Sequence, residues 1–467
     1  MSTKRRDFLK LTGLTGLGLV GSGLIGCGTT AGKLAASPLA SKQHFNMSGY
    51  AAPKINTVRI GFIGLGSRGP GAVNRMSHIE GVEIKAVCDL RPERVDAIQK
   101  KLSATKHKPT SYSGNEEVWK ELCDRDDIDL VYICTPWHLH TPMAVYAMNA
   151  GKHVAVEVPA ATTVEECWQL VQTSEKTKKH CMMLENCCYD FFELLTLNMA
   201  RQGYFGEIIH AEGAYIHDLL DHNFSKSGYQ NMWRLRENLK NGNLYPTHGL
   251  GPVCQIMNIN RGDKMEYLTS MSSNDFHMAK KAEELAANDD FYKEFAGKKF
   301  RGNMNTTSVR TTNGRTIMLQ HDVTSPRPYS RIHIVSGTEG FAQKYPEPAR
   351  VSKGHDWLST EEFKKLEEQY TPEIVKKVGA MAKKIGGHGG MDFMMDWRLI
   401  DCLRNGLALD QDVYDAASWS VIAPLSEWSV ANRSNSVDVP DFTGGSWKSN
   451  KPVELTLVGG GTTNVHV

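Results

Sequence analysis

The chain reads as an α/β protein whose first half is a doubly wound parallel sheet and whose second half is an α+β unit with a mostly antiparallel, open sheet. Three observations predict this. Between about residues 57 and 185, short apolar runs alternate with amphipathic helical stretches, as βαβ units require. The first run leads directly into glycines at GxGxxG spacing. Beyond residue 186 the pattern changes to period-two alternation punctuated by turn residues, which marks antiparallel strands.

The elements follow in order. VRIGFI (58–63) is a continuous apolar strand and helical periodicity resumes after Gly69; VEIKAVCD (82–89) is the second strand. Helices are expected over 92–102 and 116–123, then the strand DLVYICTP (129–136), a helix over 141–150 and the strand HVAVEVP (153–159). Ligands of such sheets lie beyond the carboxyl ends of the strands. Those ends carry Thr135-Pro136-Trp137-His138-Leu139-His140 and Glu157-Val158-Pro159. In the second half, AEGAYIHDL, YLTSMSS, TTSVRTTNG, RTIMLQHDV and RIHIVSGTEG read as strands, with turns at Asn313-Gly314 and Gly337. Residues 360–384, rich in Lys and Glu, read as a solvated helical region, and 412–431 as one late helix returning toward the first domain. An open sheet face has to be covered, so assembly into a homo-oligomer through it is expected.

Composition bounds the function. With 54 basic and 52 acidic side chains in 467 residues, the net charge of +2 offers no field for nucleic acid. A content of 40% hydrophobic and 23% charged residues fits a globular chain with a sizeable core. The start, TKRRDFLK followed by LTGLTGLGLVGSGLIG and Cys27, has the basic head, modest apolar centre and small-residue end of an export signal. It is too short and glycine-rich for a spanning helix. Arg5-Arg6 with Phe8-Leu9-Lys10 resembles a twin-arginine signal, so the twin-arginine export machinery is an expected partner. Leu24-Ile25-Gly26-Cys27 resembles a bacterial lipobox, which would make a lipid on Cys27 the sole membrane contact. These features predict an exported, periplasmic or membrane-anchored bacterial lipoprotein. The organisation is then a signal over 1–27, a flexible tether over 28–56, a dinucleotide-binding domain over 57–185 and a substrate domain over 186–467. The 10 cysteines include no CxxC pair, so neither a zinc site nor a disulfide framework is expected, and no metal.

The glycines carry the first chemistry. Gly64 permits the tight turn, Gly66 lets the backbone approach a pyrophosphate, and Gly69 allows close helix packing, so that amides at the helix start face the anion. Asp89, about 20 residues further on, ends the next strand where a carboxylate binds a ribose 2′-hydroxyl. This is a Rossmann cradle for NAD rather than NADP, although Arg68 and Arg91 nearby weaken the exclusion of a 2′-phosphate.

The glycine turn, the Glu-x-Pro loop and TTVEECWQLVQTSEKT together resemble the Gfo/Idh/MocA oxidoreductases over most of the chain. GFIGLGSRG, PWHLH, LENCCY, GEIIHAEGAYIHDL, LYPTHGLGP, HDVTSPRPYS, GTEG, GHGGMD and LALDQDVYDAASW more specifically resemble glycoside hydrolase family 109, from about residue 58 to 442. The resemblance implies an NAD-dependent α-N-acetylgalactosaminidase acting on a carbohydrate substrate, with NAD tightly bound and recycled. It implies NAD contacts from Leu65, Gly66, Ser67, Arg68, Asp89, Trp137, His138, Leu139, His140, Glu157, Val158 and Asn186. Sugar contacts are implied for Tyr215, Arg234, Tyr245, Pro246, Thr247, His248 and Tyr329.

One departure from the wider family is informative. Its dehydrogenases carry Glu-Lys-Pro, with a lysine that assists proton transfer from the substrate hydroxyl; here Val158 stands there, and Leu244 occupies the place four before His248 where an aspartate is common. Another base is needed. His248 is the preferred acid/base, Tyr245 its partner, and Tyr189 and His217 further candidates. Some glycosidases use NAD instead of a carboxylate pair: C3 is oxidised, the C2 proton becomes acidic, the aglycone leaves C1 by elimination, water adds, and C3 is reduced again. A sugar dehydrogenase and a noncatalytic sugar-binding lipoprotein remain alternatives on the same residues. Asp392 and Asp396 read as a solvated helix face or dipole partners, and the loop GGHGG around His388 stays unassigned.

Overall fold

A computed structural model describes residues 43–227 and 232–466. The signal over 1–27 lies outside the described residues, as does the first part of the expected tether. The first sheet contains β1 (Val58–Ile63), β2 (Val82–Cys88), β3 (Thr110–Tyr112), β4 (Leu130–Ile133), β5 (His153–Val156) and β6 (Cys181–Met183). Its order is β3-β2-β1-β4-β5-β6 and every pairing is parallel. β4 and β5 are buried along their whole length, as the continuous apolar runs require of strands covered by helices on both faces. The order reverses between β1 and β4, and the GxGxxG turn leaves β1 at that point.

The second sheet contains β7 (Ile208–Ile216), β8 (Met265–Ser272), β9 (Asn305–Thr311), β10 (Thr316–Asp322), β11 (Ile334–Gly337), β12 (Phe341–Gln343), β13 (Arg350–Ser352) and β14 (Val437–Asp438). Its order is β13-β12-β11-β7-β10-β9-β8-β14. All neighbours are antiparallel except β7 and β10. The hairpin β9–β10 turns at Asn313-Gly314, with Gly314 at φ +84.

Several expectations change in detail. Residues 43–56, expected to be tether, are docked: the His44 amide donates to Glu175 Oε2 at 2.8 Å, the Ile55 amide donates to the Leu403 carbonyl at 3.0 Å, and Met47 and Ala52 are buried. Their low periodicity concealed anchors spaced along an irregular segment. The helix expected over 141–150 begins at Trp137, with Pro136 as its N-cap, so Trp137 to His140 form its first turn instead of a loop. The late helix is two, Val413–Ser420 and Ile422–Ala431, and the solvated region is two helices, Thr360–Tyr370 and Glu373–Ile385, separated at Pro372. The nine cysteines from Cys88 to Cys402 are unpaired, and all but Cys134 are buried. Among the described residues no helix is long and apolar enough to cross a membrane.

The clearest correction concerns Asp392 and Asp396. Both lie on the helix Met391–Asn405, and they are 1% and 0% exposed, not solvated. That helix packs on Gly69–Ser77 of the first domain, whose Arg75 donates to Asp396 at 2.7 Å. A continuous run of buried positions from Met391 to Leu403 erases the amphipathic signal that would have announced it.

Two local devices fix helices of the second half against its own sheet. The helix Thr247–Ile256 lies against β7 at backbone distance, because Gly213 and Gly249 face each other: a methyl at Gly249 would fall on the Ala214 amide and 2.6 Å from the Gly213 carbonyl carbon. The helix Phe191–Arg201 is tied to the second sheet through Glu193, which meets Arg331 at 2.6 Å and Lys344 at 3.1 Å. Burial pushes the Glu193 carboxyl up, but Arg331 and Lys344 outweigh it and hold it down at about 2.

Each device gives a prediction. Gly249→Ala should destabilise the fold by roughly 2 kcal/mol or more, since neither backbone can retreat without moving a packed element; urea unfolding measures it. Because the Glu193 carboxyl is depressed to about 2 in the fold, its contribution is complete above an unfolded value near 4.5 and fades as pH falls toward 2. Glu193→Gln should therefore cost roughly 3 kcal/mol at pH 7, and the gap between variant and parent should narrow as pH falls below the unfolded value and close near pH 2. A gap independent of pH would rule out the charge as its source.

Candidate functional site

The dinucleotide cradle is built as the glycine spacing predicts. Gly64 has φ +92, and a methyl there would stand 2.7 Å from the Cys134 carbonyl. Gly69 has no room either, because its Cα faces the Gly64 carbonyl across the turn. Nothing lies within 4 Å of a methyl placed on Gly66, which is the open approach a pyrophosphate needs. Asp89 at the end of β2 accepts from the Leu65 amide at 2.7 Å and from the Arg91 amide at 3.0 Å, which fixes its carboxylate beside the turn. The residues present fit an adenine dinucleotide. Ser67 and His138 are exposed at the mouth and Leu139 is half-buried.

Arg68 does not stand free to receive a 2′-phosphate. Its guanidinium donates to Glu157 at 2.9 Å and to Asp392 at 3.2 Å. His140 is buried, with its ring nitrogens 2.7 Å from the carbonyls of Pro159 and Thr135, so it joins the ends of β4 and β5 and holds Val158 in place. Asn186 donates to Asp392 at 2.5 Å. The expected cofactor contacts Arg68, Glu157 and Asn186 thus form one polar system with a carboxylate from the second domain.

The expected sugar contacts gather where the second sheet meets the first domain. Tyr215 sits near the end of β7, and the bridge between Ile216 and Ser330 brings Tyr329 beside it. The Tyr215 ring is 4.5 Å from that of Tyr245, 5.4 Å from His248 and 6.4 Å from Tyr329. His217 packs 5.2 Å from Tyr329, and its buried Nδ1 has no hydrogen-bond partner among the described residues. The Arg234 guanidinium lies 4.9 Å from the Tyr245 ring and 5.3 Å from Trp137. Trp137 in turn stacks on Tyr245 at 5.6 Å, so the first residue after the β4 loop touches the sugar cluster. Pro246 caps the helix Thr247–Ile256, and Thr247 is fully buried behind His248.

His248 is the most constrained group of the cluster. Its Nδ1 lies 2.7 Å and 3.0 Å from the two oxygens of Glu185, a carboxylate with no exposed surface. Burial pushes this carboxyl up, but the facing imidazole, together with further hydrogen bonds including that from the Cys187 amide, brings it below its ordinary value. A carboxylate accepts and cannot donate, so Nδ1 carries the proton and Nε2 is the nitrogen available for exchange. Burial also pushes the Tyr245 hydroxyl well up, so it remains a donor throughout the neutral range. Glu185 lies outside the residues that the sequence marks as candidates; its one signal is an acid two residues beyond the buried strand CMM.

Tyr189 is placed elsewhere. It is 2% exposed, and its hydroxyl donates to Asp410, which pairs with Arg398. The short helix Asn186–Tyr189 turns its last residue into the core while its first residue points toward the cofactor side, so the structure does not bring Tyr189 to His248 and Tyr245. Glu185, Cys187 and His248 place donor atoms within 4.8 Å of one another. Burial pushes the Cys187 thiol well up, away from the thiolate that a metal requires, and Glu185 and His248 already bind each other.

Comparisons with known proteins divide the chain at the same place. Residues 58–185 match the oxidoreductase family with an NAD-binding Rossmann fold, and residues 189–449 match the C-terminal domain of glycosyl hydrolase 109. A protein of Bacteroides fragilis named alpha-N-acetylgalactosaminidase is 54% identical over 408 residues, covering 86% of this chain and 95% of its own. A glycosyl hydrolase family 109 protein of Bacteroides thetaiotaomicron is 51% identical over 418 residues, covering 85% and 86%. Among solved structures, an oxidoreductase domain protein from Kribbella flavida has a TM-score of 0.62 at 17% identity, covering 83% of this chain and 100% of its own. Levoglucosan dehydrogenase in complex with NADH and L-sorbose has a TM-score of 0.61 at 17% identity, covering 83% and 100%. These two share the fold. With an NAD-binding domain joined to a domain of that hydrolase family, and half of all residues shared with relatives over nearly their full length, the chain belongs to glycosyl hydrolase family 109.

Proposed function

We propose that this protein hydrolyses terminal α-N-acetylgalactosaminides, or a closely related α-glycoside, with tightly held NAD that is recycled within each turnover. One observation carries the reading: the cluster Tyr215, Arg234, Tyr245 and His248 abuts the dinucleotide domain through Trp137, while the proton-relay lysine of ordinary dehydrogenases is replaced by the buried Val158. The name of the Bacteroides fragilis relative supports the sugar.

Leu65 to Gly69, Asp89, Glu157 and Asn186 would hold the cofactor. Bound NAD supplies a reversible hydride acceptor for C3 of the sugar, which makes the C2 proton acidic and leaves no net redox change. The chain's own groups do the rest. Arg234 and the rings of Tyr215 and Tyr245 hold the sugar, and the packing of Trp137 on Tyr245 keeps water from the inner side of the cluster. His248, fixed by Glu185, exchanges a proton through Nε2, and the Tyr245 hydroxyl beside it donates to substrate oxygen. Elimination breaks the bond from C1 to the aglycone oxygen, and that oxygen takes up a proton. Addition of water at C1 returns a proton to C2. The sum is hydrolysis. Export by the twin-arginine route and a lipid on Cys27 suit this reading, since a cofactor that never leaves can be loaded before transport.

The decisive measurement is cleavage of a chromogenic α-N-acetylgalactosaminide in deuterated water. Colour release with deuterium at C2 and no accumulating NADH is expected; release without exchange, or stoichiometric NADH, overturns the mechanism. His248→Ala should lower kcat by about 10²–10⁴ while NAD content is unchanged. Glu185→Gln should lower kcat at least about 10-fold with NAD content unchanged, because a neutral amide can present either its oxygen or its NH2 to Nδ1 and no longer fixes which ring nitrogen carries the proton. An unchanged kcat would show that Glu185 only packs.

A further inference from the structure

The loop 386–390 and Asp392 have no part in the chemistry above, yet they reach the cofactor side. Five successive residues, Gly386, Gly387, His388, Gly389 and Gly390, have positive φ, a conformation that a chain adopts only where glycine or a strong local contact permits it. The sole side chain in that run, His388, is tied through one ring nitrogen: Nδ1 is 3.0 Å from Asp392 Oδ2 and 3.1 Å from the Arg68 guanidinium, and it donates to the first or accepts from the second. The backbone is pressed inward as well. A methyl on Gly387 would stand 2.7 Å from Asp392 Cβ and 3.1 Å from Arg75 Cδ.

Asp392 is the junction. Its carboxylate is 1% exposed, and it accepts from Asn186 through Oδ1 and from Arg68 through Oδ2. Arg75 adds a second guanidinium at 3.4 Å. Arg68 closes the glycine turn and caps the helix Gly69–Ser77; Asn186 follows Glu185, the residue that fixes His248. Two groups expected to touch the dinucleotide, Arg68 of the first domain and Asn186 at the start of the second, are therefore bound to a single carboxylate, and the glycine loop lies over it.

We infer that loop 386–390 and Asp392 are part of the dinucleotide site, where they act as a latch: by fixing Arg68 and Asn186 they hold the cofactor against exchange. This rests on the reading that NAD is bound and recycled. Release of a dinucleotide requires its cradle to loosen, and here loosening means separating hydrogen bonds to the buried Asp392 carboxylate, of which that from Arg68 is an ion pair between the two domains. Asp392 is a positioning residue in this scheme, and His388 the outer tie.

The test is exchange of the bound cofactor, read independently of catalysis. Purified full-length protein is saturated with NAD, freed of excess, and mixed with adenine-labelled NAD; label bound to protein is followed by gel filtration. Asp392→Asn and His388→Ala should each exchange at least about 10-fold faster than the parent, since losses of this kind fall on the dissociation rate. Circular dichroism and the thermal midpoint establish that the variants are folded. If Asp392→Asn does not fold, His388→Ala decides, because that side chain is 54% exposed and its removal leaves the Arg68 to Asp392 pair in place. A parent that retains NAD while folded variants retain it equally long overturns the latch alone. A parent that neither carries nor takes up NAD overturns the latch and the proposed function together.

Discussion

The site depends on one contact without side chains. Gly213 on β7 and Gly249 on the helix Thr247–Ile256 let two backbones meet where any Cβ would collide. This sets the distance between Tyr215, two residues along β7, and His248, one residue before the helical glycine. The neighbouring Gly251 repeats the device on the other side: a methyl there would stand 2.9 Å from the Glu185 side chain. Helix, strand and the end of β6 are thereby drawn to one point, and an imidazole, a phenol and a carboxylate converge there because three glycines leave them room.

Several buried charges of the protein are answered by pairing. Asp392 has two guanidiniums, Glu193 has Arg331 and Lys344, and Arg261 has Asp412 and Asp415. Such pairs contribute less to stability than apolar packing of equal volume, because desolvation offsets much of the attraction. Asp396 shows the cost: even with Arg75 at 2.7 Å, burial pushes its carboxyl up to about 6. What the pairs supply is geometry. Arg331 donates to the Tyr329 hydroxyl at 3.3 Å while bound to Glu193, so the ionic cluster behind the sheet positions a ring in front of it.

The legible part of the sequence was the part with local rules. GxGxxG after an apolar strand, with Asp89 further on, describes a cradle completely, because turn, approach and packing each demand glycine at a fixed place. The long strands were legible by period, whereas β3, β6 and β12 to β14 have only two or three residues, too few to show one. Tyr189 illustrates the opposite limit. It lies four residues from Glu185, but a single turn of helix sends it to Asp410 in the core, and only the tertiary fold decides that direction. Asp392 is hidden for a related reason: spacing on a helix says which residues share a face, and not whether that face meets water or an arginine from another domain.

Glu185 and Asn186 are adjacent in the chain and serve different neighbours. The side chain of Glu185 holds His248, and that of Asn186 holds Asp392. Both follow β6, an edge strand of the parallel sheet, and the Glu185 carbonyl accepts from Gln411 at 3.0 Å. The peptide between them cannot shift without disturbing both partners. Proton-transfer geometry and the polar system around Arg68 are therefore set by one rigid dipeptide, which is how a pocket can keep a sugar carbon in register with a cofactor through successive steps of a single turnover.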